Sequence, residues 1–72
     1  MNPPKLDNKL YFVSFCIEQY KQHKHLDGAT AMQLLERTGA LKYLADNYDV
    51  LHTQGASWLM AELDEYIAVS LQ

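Results

Sequence analysis

The stretch Tyr48-Asp49-Val50-Leu51-His52-Thr53-Gln54-Gly55, with the run Ala56 to Leu71 that follows, decides how the chain is read. In that run Ala56, Leu59, Leu63, Ile67 and Ser70 or Leu71 recur at three- and four-residue intervals, which predicts an amphipathic helix over 54–71. Met60 and Tyr66 flank the stripe. Val50 and Leu51 are too apolar for a solvated connection, so both are expected to plug the end of a core. Thr53 is the expected N-cap of the last helix, Asp49 the cap of a short turn before it, and Gly55 a point of close approach.

Three further helices are predicted upstream, giving an all-α fold: a compact bundle of about four helices at 8–24, 28–38, 40–47 and 54–71. Residues 1–7, with Pro3-Pro4, are expected to form an extended arm, and 8–72 a single helical domain. In the first helix, capped by Asp7, Leu10, Val13, Ile17 and Tyr20 share one face with Phe12 and Cys16 along its flank. A strand over 10–17 is the rival reading, disfavoured because Glu18-Gln19-Tyr20-Lys21-Gln22 would make it unusually long. The basic end Lys21 to His25 suits the negative pole of a helix C-terminus.

Asp27 is the expected N-cap of the second helix, with Leu26 and Ala31 as a weak staple. Ala31, Leu34, Leu35 and Thr38 then face inward beside Met32, and Gly39 ends the helix in a left-handed turn. Leu41, Leu44, Ala45 and Tyr48 give the third helix its core face, with Tyr43 on the solvent side.

Seventy-two residues make one small domain. Such a chain buries roughly 60% of its unfolded surface. Its expected stability is about 4–10 kcal/mol. The single Cys16 makes no internal disulfide and suits a reducing compartment, and no apolar run reaches the ~20 residues of a membrane span, so the cytoplasm is the expected location. Net charge is −3, unevenly placed. Residues 1–42 carry six Lys/Arg against four acids, while residues 43–72 carry five acids and no Lys or Arg. An acidic surface repels phosphates, so DNA binding would have to use the N-terminal half alone. A helix-turn-helix about Gly39 is a weak match, since its second helix offers a phosphate only Lys42.

Two features stand outside the core pattern. Tyr11 and Phe15 lie one turn apart on the outer side of the first helix. On the last helix Trp58, Glu62, Glu65 and Val69 lie opposite the core stripe, with Asp64 further round. Trp is a favoured interface anchor, and carboxylates around it select a basic partner surface. The plainer alternative has Trp58 packed against the connection or Tyr11. Asp49 and His52 are close enough in sequence for a dyad, but no nucleophile elbow accompanies them. A structural bond from His52 to Asp49 or to backbone is the favoured reading, and no catalytic residue, cofactor or metal ligand is assigned.

Phe12-Val13-Ser14-Phe15-Cys16-Ile17-Glu18, Tyr48 to Gly55 and Asp64-Glu65-Tyr66 together resemble a family of short uncharacterised bacterial helical proteins with a Y-D-V-L-H-T-Q-G signature. The resemblance implies a gene often placed beside one for a predicted ADP-ribosyltransferase-like protein, a layout like that of a toxin–antitoxin pair. It supplies no catalytic residues. The expected function is a non-enzymatic protein-interaction module, antitoxin-like, whose partner is another protein encoded by the adjacent gene. The alternatives are a small DNA-binding regulator using the basic half and a small enzyme using Asp49 and His52. A homodimer through Tyr11, Phe15 or Trp58 is compatible with each.

Overall fold

The computed structural model describes residues 5–71. Five helices follow one another: α1 (Lys5–Lys24), α2 (Gly28–Arg37), α3 (Ala40–Asp46), the single turn α4 (Tyr48–Leu51) and α5 (Ala56–Ser70). No strand occurs among the described residues, and 10–17 lies wholly within α1. The long α1 packs against α2, α3 and α5, so every longer helix borders it.

α1 begins at Lys5, three residues before the expected start, so residues 5–7 are helical and Asp7 lies inside the first turn instead of capping it. The rest of the expected arm, residues 1–4, lies outside the described residues. Its buried line is Phe12, Cys16 and Tyr20, at four-residue spacing. The expected face is therefore rotated: Val13 and Ile17 pack at the edge of the core, and Leu10 is 57% exposed. Cys16 is fully buried, and burial pushes its thiol up to about 11, which keeps it neutral and inert.

The end of α1 is a Schellman-type turn. His25 takes the left-handed conformation at φ 56°, and Leu26 N–H donates to the Lys21 carbonyl at 2.9 Å. A left-handed residue other than glycine costs roughly 1–2 kcal/mol. Asp27 caps α2 as expected, accepting from Thr30 N–H at 2.7 Å. Ala31 and Leu35 are buried, Leu34 and Thr38 half-buried, and Met32 exposed. Gly39, at φ 82°, makes the turn into α3, whose Ala40 and Leu44 enter the core.

The connection before α5 departs from expectation in several places. Leu51 is buried, but Val50 is 66% exposed, because a one-turn helix can direct only one of two successive side chains inward. Asn47, not Asp49, stands at the N-cap of α4, and Asp49 occupies its first turn. Gly55, not Thr53, precedes α5, in extended backbone and with no side-chain cap. Thr53 Oγ1 instead donates to the Val50 carbonyl at 3.0 Å. A Cβ at Gly55 would meet open space, so no close approach calls for glycine there.

In α5 Leu59, Met60, Leu63 and Ile67 are buried, while Ser70 and Leu71 are exposed at its end. Polar ties hold this helix to the earlier ones. His23 Nε2 lies 2.7 Å from Asp64 Oδ2, and Lys24 Nζ lies 3.4 Å from Oδ1. Ser70 Oγ donates to the Thr38 carbonyl at 3.2 Å. Burial opposes ionisation of Asp64, but the contacts from His23 and Lys24 outweigh it and hold the carboxyl below its usual range.

His25→Gly is expected to raise stability by about 0.5–1 kcal/mol in urea unfolding, because glycine removes the left-handed strain at some cost in unfolded-chain entropy. Ionised Asp64 stabilises the fold above its unfolded pKa of about 3.9, and that contribution is lost as pH falls through the lower folded value. Asp64→Asn should accordingly lower the urea midpoint at neutral pH and change it least near pH 3.

Candidate functional site

The two sets of residues singled out as surface features lie on different parts of the molecule. Tyr11 and Phe15 stand on the outer side of α1, 77% and 44% exposed. They line an open groove of about 590 Å³ together with Asn8, Phe12, Tyr48, His52, Gln54 and Leu59. The α4–α5 connection therefore forms the groove's second wall. Sequence spacing gave no sign of this, since the walls are more than thirty positions apart.

That wall is built by local aromatic packing. His52 does not bond Asp49; the Tyr48 carbonyl accepts from His52 Nδ1 at 2.7 Å. The imidazole stacks on the Tyr48 ring at 4.3 Å and 13°, and the Tyr48 ring meets Phe12 edge-on at 5.6 Å and 73°. The sequence Phe12–Tyr48–His52 is thus a continuous ladder of rings from the core of α1 to the groove's lip. Cys16 is fully buried and does not line the groove. No group of three or more His, Cys, Asp or Glu side chains placed for a metal ion occurs among the described residues.

Trp58, Glu62, Glu65 and Val69 do share the outer side of α5. Trp58 is 46% and Val69 64% exposed, and Glu65 is exposed as well. Glu62 is different: it is half-buried and accepts a hydrogen bond from Tyr43 Oη at 2.6 Å. Tyr43 is consequently not the solvent-facing residue expected from its helix position. Its ring stacks on Tyr66 at 4.6 Å and 20°, which bridges α3 to α5. The bond to Glu62, then burial and the nearby negative charge, push the Tyr43 phenol up to about 12. Glu62, Glu65, Tyr66, Val69 and Ser70 line a hollow of about 380 Å³ beside this stack.

Three of the six Lys and Arg residues of the basic half are held in ion pairs. Lys21 pairs with Glu18 at 3.0 Å, Lys24 with Asp64, and Lys42 with Asp46 at 2.8 Å. Lys42 is the residue on which a helix-turn-helix reading of α2 and α3 would rely.

The sequence pattern of a family described as "Protein of unknown function (DUF3791)" matches residues 11–69. The chain belongs to this DUF3791 family. The matched span runs from Tyr11 in α1 to Val69 in α5, and it takes in the lining of the groove except Asn8 and of the hollow except Ser70. Neither the curated proteins nor the solved structures contain a match to the chain. No helix among the described residues is long and apolar enough to cross a membrane.

Tyr43 supplies a test of the α3–α5 bridge. Its phenol must stay protonated to donate to Glu62, so the stabilisation is present below the unfolded pKa of about 10 and lost as pH rises through the folded value of about 12. Tyr43→Phe is expected to cost about 1–2 kcal/mol at pH 7 and to flatten the alkaline decline in stability, read by urea unfolding at several pH values.

Proposed function

We propose that this DUF3791 protein is a non-enzymatic protein-interaction module, an antitoxin-like chain that covers the surface of a partner encoded by the adjacent gene. The observation that carries the reading is the groove walled by Tyr11 and Phe15. A chain of 72 residues that must bury apolar surface to fold leaves two aromatic rings at the lip of an open groove. Full burial of an aromatic or aliphatic side chain is worth about 1.5–3 kcal/mol, so covering this pair on a partner is a substantial driving force. Trp58 and Val69 add a second apolar pair on α5.

A standard interface takes about 800 Å² from each partner. The chain exposes 5030 Å², so such a contact would engage roughly a sixth of it. The family resemblance points to an ADP-ribosyltransferase-like protein as the partner. The groove's lining offers a hydrophobic seat and a hydrogen-bonded imidazole, not an activated nucleophile, which supports binding over catalysis. The pairing of Lys42 with Asp46 gives a helix-turn-helix reading of α2 and α3 no positive support.

Co-expression with the adjacent gene's product, one chain tagged, is expected to yield a single complex on size exclusion. Tyr11→Ser with Phe15→Ser should weaken it tenfold or more while leaving the helical circular-dichroism spectrum unchanged. Two proteins eluting separately would overturn the proposal.

A further inference from the structure

We propose that the outward face of α5 docks a basic segment of a protein partner, with an arginine or lysine side chain entering the hollow lined by Glu62, Glu65, Tyr66, Val69 and Ser70. This rests on the interaction-module reading and names the surface and the chemistry of the occupant.

The backbone places Trp58, Glu62, Glu65 and Val69 at i, i+4, i+7 and i+11, a single stripe about 17 Å long at 1.5 Å per residue. The stripe lies opposite Leu59, Leu63 and Ile67, which are committed to the core. Apart from Glu62, which Tyr43 of α3 reaches, its residues are exposed.

Charge identifies the occupant. Of the other three acids in this half, Asp46 is paired with Lys42 and Asp64 with Lys24, with His23 as a further hydrogen-bond partner, while Asp49 stands exposed on α4, away from this face. Among the described residues no Lys, Arg or His forms an ion pair with Glu62 or Glu65. No Lys or Arg occurs anywhere from residue 43 to 72. Among the described residues, the hollow thus holds two carboxylates with no cation paired to either.

Its walls suit the rest of a cationic side chain. Tyr43 donates to Glu62 at 2.6 Å and stacks on Tyr66, which holds that carboxylate and ring in place before any partner arrives. A tyrosine ring stabilises a nearby cation through its quadrupole. Val69, 64% exposed, offers contact to an aliphatic stem, and Trp58, 46% exposed, offers an anchor three turns away.

The same charges count against other occupants. Phosphate-rich nucleic acid and anionic lipid are repelled. A second copy of the chain, meeting this face symmetrically, would set carboxylates against carboxylates.

The test uses the full chain and two blocked 14-residue helical peptides, one with Arg and Leu on one face and one with every Arg replaced by Glu. Trp58 is the chain's single tryptophan, so its fluorescence reports directly on this face. The Arg peptide is expected to give a saturable change, weakened tenfold or more by Glu65→Lys and little affected by Glu36→Lys on α2. The Glu peptide should give none. Glu65 is exposed and outside the Tyr43 bond, so its replacement leaves the fold intact by circular dichroism. Absence of saturation with the Arg peptide, or equal weakening by Glu36→Lys and Glu65→Lys, would overturn the proposal. A complex with the adjacent gene's product that survives Glu65→Lys but is lost on Tyr11→Ser with Phe15→Ser would also remove it, while leaving the interaction module standing.

Discussion

The fold depends on a seam between α1 and the rest of the chain. Phe12, Cys16 and Tyr20 form its α1 side, and Leu35, Leu44, Leu59 and Leu63 belong to the same buried cluster. Cys16 sits at the middle of that line with no exposed surface. In a chain of this length there is one core and no second one to compensate for a poor fit. Dense packing along a single line therefore sets which face of every helix points inward, and by subtraction which face is left for anything else.

Polar contacts act on top of this seam and fix α5 at several points along its length. Asp64 receives His23 and Lys24 from the end of α1, Glu62 receives Tyr43 from α3, and Ser70 reaches the Thr38 carbonyl at the end of α2. Each joins segments distant in sequence, so each fixes the rotation of α5 about its axis. The ion pair among them, at Asp64, is of a kind that contributes little on its own, a median of about 0–1 kcal/mol. Their importance here is geometric: they hold the stripe of Trp58, Glu65 and Val69 outward.

The two surfaces that bear on function are products of that arrangement. The groove exists because the Tyr48–His52 stack is carried onto the flank of α1 by the contact of Tyr48 with Phe12. The hollow exists because Tyr43 lies flat against Tyr66 instead of projecting into solvent. Aromatic stacking thus shapes both sites, the one largely apolar at its lip and the other acidic.

Helix existence, the Asp27 cap, the Gly39 turn and the inward side of α5 were legible in the residues, because each follows from local backbone chemistry or from one clear apolar stripe. So was the outward position of Tyr11, Phe15, Trp58 and Val69. The rotation of α1 was not. Leu10, Tyr11, Phe12, Val13, Phe15, Cys16 and Ile17 encircle the helix, and spacing alone does not choose among nearly apolar faces. Only the helices packed against it select Phe12 and Cys16 over Leu10. The same holds for Glu62 and Tyr43, whose bond spans nineteen positions, and for the pairing of Asp64 with the end of α1. Sequence by itself determined where the chain coils and which residues are available for contact. Tertiary structure decided which of them meet, because long-range side-chain pairs depend on the crossing of helices that no local pattern encodes.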